Sequence, residues 1–361
     1  MVSLEDVAYK AIEVSLGVKT GENVWIHGWD HTIELMSCLA WECRKRGCHV
    51  IITVQPEDFW LRTMIEAPLE LVNRLEAYSA SMLGETDAFV FTLGPKKPIP
   101  WERIPKERQE SVSIWLDERY DKSAFAKEWA ALARAREVRM LAIEATQATP
   151  ERAEALGLNY EEWRDVMLEG CVADYYQIEK RGEILSSLLN ARKEVCITTP
   201  HGTDLRFRLD NRRVETSGGI ASQEKAKKGL VTFLPAGGVE VTGDERSAEG
   251  EVVFDVPVRV EGGPVVGLTL RVEDGIIVEY KARTGREVFE NYLKEGSRDI
   301  NCFASFGLGL NPNLRFGFTQ DDKVLSGVTV SFGDNEKRGG NRADGHGWGA
   351  SITKATVIYG R

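Results

Sequence analysis

The first half of the chain alternates short apolar runs with segments whose apolar residues recur every three or four positions. This pattern predicts a helix over 6–16, a strand over 24–27, a helix over 32–45 and a strand over 50–54. Apolar residues at helical spacing form one face of a helix, whereas a short continuous apolar run is typical of a buried strand. A strand, a helix and a strand in this order form a βαβ unit, whose two strands are parallel.

The same alternation continues through the next hundred or so residues. It predicts further helices over 69–83, 122–136 and 149–160, and further strands over 88–93, 112–116 and 139–143. Pro150 stands at the start of the last of these helices, where its missing N–H leaves no intrahelical bond unmade. We therefore expect the first half to be an α/β domain with a doubly wound parallel sheet.

After a helical stretch over 161–190, the pattern changes to short strands. Strands are expected over 194–199, 204–209, 251–260, 265–272, 275–283, 324–332 and 355–359, with one helix over 287–295. Because short strands joined by tight turns are typical of antiparallel pairing, the second half is expected to be an α+β domain rich in antiparallel strands. The predicted domains are 1–187 and 188–361.

Composition and charge exclude several classes of partner. The 361 residues are long for one core and sufficient for two domains. The formal net charge of −10 argues against nucleic acid, because binding to its phosphates needs clustered Lys and Arg. No apolar run of about 18 residues predicts a membrane span. The chain lacks a recognisable signal peptide, and its six cysteines form no Cys-x-x-Cys pair, so we expect a cytoplasmic protein.

Glycine-rich motifs follow one another through the second half. They are Gly202-Thr203-Asp204-Leu205, Leu234-Pro235-Ala236-Gly237, Phe306-Gly307-Leu308-Gly309-Leu310-Asn311-Pro312, Gly327-Val328-Thr329-Val330-Ser331-Phe332-Gly333-Asp334-Asn335 and Asp344-Gly345-His346-Gly347-Trp348-Gly349. In order and spacing, these motifs resemble the M29 (thermophilic aminopeptidase T-like) metallopeptidase family. The resemblance implies the fold of that family and the position of its metal site.

The resemblance places the metal-ligand positions of the family on Gly238, Ser305, Thr329, His346 and Trp348. Of these residues, His346 alone has a side chain suited to a catalytic metal ion. Glu240 lies two residues after Gly238, hence on the same strand face, and a shifted register would restore one ligand. No two-metal centre is therefore expected, while a single weak site for a divalent ion such as Zn or Fe at His346 stays open.

The same motifs suggest catalytic and substrate-binding side chains. His346, with Asp344 or Glu240 as its partner, could act as a general base near neutral pH. Arg338 and Arg342 could clamp an anionic group of the substrate through bidentate bonds. Ser305, Thr329 and Trp348 are expected to line the substrate site, since they occupy family ligand positions. A structural histidine in a solvated, glycine-rich loop is the alternative.

A second cluster lies in the first half, at the end of the first predicted strand. The sequence His27-Gly28-Trp29-Asp30-His31 brings two imidazoles and a carboxylate within five residues. Open α/β sheets bind ligands at the carboxyl ends of their strands, so a displaced metal site is conceivable here. An aromatic-rich βα turn is the favoured alternative, because ligands four residues apart need a helix to align them.

Three functions follow from the resemblance. The first is a hydrolase acting on a peptide or small amide-type substrate, with an altered or lost metal site. The second is a mononuclear non-haem iron dioxygenase similar to the related pyridinediol dioxygenases. The third is a metal-free binding protein or pseudoenzyme. In each case the resemblance also implies a homodimer.

Overall fold

The computed structural model describes residues 2–109, 123–191, 193–209, 212–296, 298–343 and 347–360. Its α-helices are, in chain order, α1 (Leu4–Tyr9), α2 (Ile33–Lys45), α3 (Glu57–Glu66), α4 (Leu69–Val72), α5 (Ala77–Gly84), α6 (Lys106–Gln109), α7 (Ala124–Arg136), α8 (Pro150–Leu156), α9 (Tyr160–Cys171), α10 (Tyr175–Asn190), α11 (Gln223–Lys227) and α12 (Arg286–Glu295). The predicted strand over 112–116 lies outside the described residues.

The strands are short and most of them lie in the second half of the chain. They are β1 (Asn23–Trp29), β2 (His49–Gln55), β3 (Ala88–Thr92), β4 (Arg139–Ile143), β5 (Glu194–Thr198), β6 (Asp204–Arg208), β7 (Val214–Ser217), β8 (Val231–Leu234), β9 (Gly238–Thr242), β10 (Glu249–Val253), β11 (Val258–Val260), β12 (Gly263–Val265), β13 (Thr269–Glu273), β14 (Ile276–Lys281), β15 (Phe303–Gly309), β16 (Val328–Gly333), β17 (Gly347–Ile352) and β18 (Thr356–Gly360).

The chain divides into two compact units. The first comprises Met1–Tyr175 and Gly219–Ala236, and the second comprises Tyr176–Gly218 and Gly237–Arg361. The segment Gly219–Ala236 carries β8, which pairs in parallel with β4 in the first unit. The sequence predicts this segment in the C-terminal domain, because nothing in a four-residue apolar strand indicates a partner so distant in sequence.

The first unit is built on a parallel sheet with the strand order β2-β1-β3-β4-β8. Every residue of β3 and β4 is buried, as expected for central strands covered by helices on both faces. Trp25 of β1 packs against Phe89 of β3 and Trp129 of α7, with ring centroids 4.9 and 5.4 Å away. The expected doubly wound parallel sheet is confirmed.

The second unit contains antiparallel sheets. One has the strand order β14-β13-β10-β6-β5-β18, another has the order β17-β16-β15-β9-β7, and β11 pairs with β12. Phe207 of β6 contacts Phe303 and Phe306 of β15, with ring centroids 4.8 and 5.3 Å away, so aromatic side chains join two of these sheets. The expected α+β unit rich in antiparallel strands is confirmed.

Several predicted helices are shorter than expected. The helix predicted over 69–83 is two helices, α4 and α5, and α3 precedes them without having been predicted. The helices predicted over 149–160 and 161–190 are α8, α9 and α10. Gly157 ends α8 in the left-handed conformation, with φ of 64°, which glycine adopts without steric cost. No described helix is both long and apolar enough to cross a membrane.

Candidate functional site

One face of the five-stranded sheet in the second unit is polar. Along β9, Val239 and Val241 are buried on one side, while Gly238, Glu240 and Thr242 point to the other. The pairing of the strands extends this alternation across the sheet. Because successive residues of a strand face opposite sides, the residues opposite Glu240 on neighbouring strands share its face.

Two rows of paired residues define this polar face. The first row is Glu215, Glu240, Gly307, Thr329 and Ser351, and the second row is Thr242, Ser305, Ser331 and Gly349. The opposite face carries apolar residues such as Val241, Phe306, Val330 and Ala350. The sheet therefore carries apolar side chains on one face and mainly short hydroxyl residues and glycines on the other. On this polar face, Glu240 and Thr329 are partly accessible, whereas the other hydroxyl residues are buried.

The short side chains of the polar face are closely packed against one another. The Thr329 Oγ1 and Ser351 Oγ atoms lie 2.9 Å apart in a hydrogen bond. A Cβ atom added to Gly349 would lie 2.5 Å from the Ser331 Oγ, so a larger residue there would displace its neighbour. Thr242 is fully buried, and its Oγ1 has no hydrogen-bond partner in the described structure.

Glu240 is the central charged group of the polar face. The Ser305 Oγ donates a hydrogen bond of 2.6 Å to Glu240 Oε1, and Arg338 Nε lies 2.7 Å from Glu240 Oε2. Ser305 is fully buried, whereas 31% of the Glu240 side chain and 34% of the Arg338 side chain remain accessible. A small molecule can therefore reach the ion pair but not the serine beneath it.

The pKa of Glu240 reflects opposing effects. Burial raises the pKa above its usual value, although the accessible third of the side chain limits this effect. The positive charge of Arg338 and the hydrogen bond from Ser305 lower the pKa, but they do not fully offset burial and the nearby charges of Asp322 and Glu215. The carboxyl group is thus more basic than an ordinary glutamate.

Arg338 is carried by the loop over residues 334–343, which we call the arginine loop. Asn335 is fully buried at its base. Its Nδ2 donates to the carbonyl oxygen of Ala304 at 3.2 Å, and its Oδ1 accepts from the Arg342 N–H at 3.0 Å. The bond from the Arg342 N–H folds the loop back onto itself, as asparagine side chains do in turns.

A buried carboxylate fixes the same loop from the other side. Glu245 Oε1 accepts hydrogen bonds from the Asn341 N–H at 2.8 Å and from Asn335 Nδ2 at 3.1 Å. Arg212 Nη2 lies 3.0 Å from Glu245 Oε2, and Arg212 Nη1 donates to the Gly339 carbonyl at 2.9 Å. The sequence carries no signal for the roles of Glu245 and Arg212, because each residue lies far from the loop along the chain.

The pKa of Glu245 shows that the network favours its charged form. Burial alone would raise this pKa, but the hydrogen bonds from the Asn341 and Glu245 N–H groups and from Asn335, together with the charge of Arg212, lower it overall. Glu245 is therefore a buried anion whose hydrogen bonds hold the arginine loop in place.

The structure separates the two arginines that were expected to act together. Arg338 contacts Glu240 on the polar face, whereas Arg342 Nη1 lies 2.6 Å from Asp299 Oδ1. Arg342 lines a cavity that shares no described residue with the polar face. The described structure therefore does not place Arg338 and Arg342 where both could bind one substrate carboxylate.

Trp348 lies on the opposite side of its strand from the polar face. It pairs with Phe332, and their rings stack with centroids 5.0 Å apart. The indole N–H donates to the Ile300 carbonyl oxygen at 3.1 Å, and 7% of the residue is exposed. Trp348 is a core residue in this arrangement, and the expected contact with substrate is not available to it.

His346 and Asp344 lie outside the described residues. Their expected roles as general base, partner and weak metal site therefore stay predictions from the sequence. Of the remaining predicted residues, the structure brings Glu240, Ser305, Thr329 and Arg338 to the polar face.

The polar face does not fit the metal centre that the resemblance implies. The resemblance places three ligand positions of this face on Gly238, Ser305 and Thr329, and none of these residues supplies a carboxylate or an imidazole. Glu240 uses its two oxygens in contacts with Ser305 and Arg338. Within the described ranges, no group of three His, Cys, Asp or Glu side chains could surround a metal ion.

The cluster at the end of β1 has separate partners for its imidazoles. The ring Nδ1 of His27 lies 2.9 Å from Thr53 Oγ1, and burial lowers the pKa of His27 to about 4. His31 Nε2 lies 3.4 Å from the Thr146 carbonyl oxygen, and His31 Nδ1 lies 4.0 Å from Asp30 Oδ1. These separate contacts favour the βα turn expected from the sequence over a set of side chains that bind one metal ion together.

Known proteins share this architecture. The sequence model of the thermophilic metalloprotease (M29) family matches residues 2–304. Wild-type AmpT from Thermus thermophilus has a similar structure, with a TM-score of 0.63 and 19% identity over 99% of this chain and 94% of that one. The structure of a 2,5-dihydroxypyridine dioxygenase from Pseudomonas putida KT2440 has a TM-score of 0.63 and 14% identity over 99% and 94% of the two chains. No curated protein sequence matches the chain. Because the two identities are low, the similarity to these structures shows a shared fold alone.

Proposed function

Because the chain belongs to the thermophilic metalloprotease (M29) family, we propose that it is a divergent hydrolase of peptide or small amide-type substrates. The resemblance implies a two-metal centre on the polar face. The proposed reaction instead uses the side chains of that face. The observation that carries the proposal is the accessible Glu240–Arg338 pair, with the raised pKa of Glu240.

Glu240 is assigned the role of general base. A carboxyl group whose pKa is raised towards the working pH removes a proton from water more effectively than an ordinary one. Each carboxylate oxygen has two acceptor positions, so Glu240 can bind a water molecule while it keeps its bonds to Ser305 and Arg338. The activated water would attack the amide carbon, and Glu240 would hold its proton until the leaving amine takes it.

Ser305 and Arg338 are assigned supporting roles. Ser305 is fully buried, so it orients the Glu240 carboxylate and is not itself the nucleophile. Arg338 is accessible and cationic, so it is suited to an anionic group of the substrate or to the negative charge that develops on the amide oxygen. Thr329 is partly accessible, so its hydroxyl group, which bonds to the buried Ser351, is suited to contact the rest of the substrate.

Two other functions make different demands on the same residues. A mononuclear iron dioxygenase needs imidazole and carboxylate ligands grouped around one ion. The polar face supplies hydroxyl groups and an arginine-paired carboxylate where these ligands would be needed. A binding protein would use the Glu240–Arg338 pair for recognition alone, since an ion pair can bind a zwitterion such as an amino acid.

The test compares the wild type with Glu240→Gln on a panel of aminoacyl p-nitroanilides, in parallel with dihydroxypyridines. The proposal predicts release of nitroaniline by the wild type and a loss of about 10² to 10⁴ in rate for the variant. Glu251→Gln, at an exposed position on β10 outside the polar face, is the matched control and should retain most of the rate. Turnover of a dihydroxypyridine, or amide hydrolysis that persists in Glu240→Gln, would contradict the proposal.

Location and assembly are part of the same proposal. The six cysteines all lie in the described residues and form no disulfide there, which is consistent with the reducing conditions of a cytoplasm. We place the protein there as a homodimer with a small-molecule or peptide substrate, and with neither nucleic acid nor a membrane as a partner. The acidic net charge of −10 supports the exclusion of nucleic acid.

A further inference from the structure

A cavity lined by arginines lies at the start of β15 in the second unit. Its volume is about 550 Å³, and its lining includes Arg246, Arg298, Arg342, Asp274 and Asp299. This volume is within the range of pockets that bind small molecules in proteins, roughly 300 to 1,000 Å³. The polar face and the cavity have no described lining residue in common, so the cavity is not part of the proposed amide-hydrolysing site.

The arginines of this cavity are incompletely paired. Among described residues, Arg246 and Arg298 form no ion pair through their guanidinium groups. Arg342 bonds to Asp299 through Nη1, but its Nε is buried and has no hydrogen-bond partner in the described structure. A buried donor without a partner costs free energy, and a ligand oxygen would satisfy it.

The charge of the lining favours an anion. Three arginines and two aspartates leave one net positive charge in a chain whose overall charge is −10. The net negative charge of the protein does not attract anions. An anion in this cavity would therefore be held by specific bonds to the local positive groups. The guanidinium group matches the geometry of carboxylate and phosphate oxygens.

We propose that this cavity binds a small oxyanion, carried as the phosphate or carboxylate group of a polar small molecule. Arg246, Arg298 and the free Nε of Arg342 contact the oxyanion. Asp274 and Asn301 face the remainder of the molecule and can bond to its hydroxyl or amine groups. The volume of the cavity leaves room for this remainder beside the oxyanion.

Arg342 also links the cavity to the arginine loop. Its backbone N–H donates to Asn335 Oδ1, while its side chain lines the cavity. An anion that holds the Arg342 side chain therefore also restrains the loop that carries Arg338. The binding site itself does not depend on whether the polar face hydrolyses amides.

The test is isothermal titration calorimetry of the full chain with inorganic phosphate in one arm and succinate in the other. Saturable binding of at least one anion, with a dissociation constant of about 1 mM or below, is expected for the wild type. Arg246→Gln and Arg298→Gln should each weaken that binding by about tenfold, because each removes a charge-assisted hydrogen bond. The arm that binds identifies the phosphate or the carboxylate as the group recognised.

Arg206→Gln is the matched control. It removes the same charge from an exposed arginine in the second unit that pairs with Asp204 and does not line the cavity. Its dissociation constant should equal that of the wild type. No saturable binding of either anion by the folded wild type, or equal weakening in Arg206→Gln, would overturn the proposal.

Discussion

At the scale of single residues, Glu240 carries a carboxylate two residues away from the expected position but on the same strand face. It lies on the same side of β9 as Gly238, where the resemblance expects a metal-binding glutamate. In this chain, Arg338 forms an ion pair with the carboxylate of Glu240, and Ser305 donates a hydrogen bond to it. A guanidinium group in contact with a carboxylate supplies the positive charge that a metal ion would otherwise bring to such a group.

The Glu240–Arg338 pair leads to a prediction about pH. Arg338 lowers the pKa of Glu240, so Arg338→Gln should raise that pKa further. A general base acts in its deprotonated form, so the acidic limb of the pH profile of kcat/KM should move to higher pH. The profile of Arg206→Gln should match the wild type. A limb that stays in place in Arg338→Gln would show that Glu240 is not the group that titrates.

At the scale of elements, the arginine loop is held by bonds to a distant carboxylate and not by its own residues alone. Glu245 accepts from Asn335 and Asn341 and pairs with Arg212, and Arg212 in turn bonds to the Gly339 carbonyl. A Cβ at Gly340 would overlap the amide group of Asn335, so this turn needs a glycine. The position of Arg338 therefore depends on the whole network.

Glu245→Gln should destabilise the protein by about 1 to 3 kcal/mol, because buried donors lose part of their charged acceptor. The pKa of Glu245 is lowered on folding, so its stabilising contribution is present above the usual value of 4.5 and is lost as pH falls through the folded-state value. The free energy of unfolding from guanidinium denaturation should therefore fall less steeply on acidification in the variant. Glu251→Gln, at an exposed position, is the control. Equal stability of Glu245→Gln and wild type would contradict this account of the loop.

The sequence predicts these elements unevenly. The spacing of two residues was sufficient to place Glu240 on the strand face of Gly238, since a strand has a period of two, although β9 itself was not predicted. Trp348 was misplaced because its glycine-rich surroundings carry no alternation, and a shift of one residue moves a side chain to the other face. The single predicted helix over 161–190 is interrupted between α9 and α10, although the helical spacing of apolar residues continues through the break.

At the scale of the whole molecule, contacts between residues distant in sequence determine features that the hydrophobic pattern could not predict. β8 joins the parallel sheet beside β4, and the chain then enters β9 of the second unit. The cavity gathers Arg246, Arg298 and Arg342 from three separate segments. Neither arrangement has a local signal, whereas the two fold classes followed from the change of hydrophobic period alone.

The expected homodimer is a prediction at the same scale. Large apolar side chains are exposed in the first unit, among them Trp41 at 63%, Phe59 at 65% and Tyr78 at 88%. Exposed aromatic residues are typical of interfaces between protein chains. Light scattering at micromolar concentration should give twice the 40.3 kDa of one chain. A mass equal to that of one chain would show that these side chains serve another purpose.

In the proposed hydrolase, the polar face has replaced a two-metal centre. Elemental analysis of the purified, dialysed protein tests it most directly, with nitroanilide hydrolysis measured on the same sample before and after treatment with a chelator. We predict no stoichiometric pair of divalent metals and a rate that the chelator leaves unchanged, because the polar face offers Gly238, Ser305 and Thr329 where ligands would be needed. About two metal ions per chain, with hydrolysis abolished by the chelator and restored by the metal, would contradict the account.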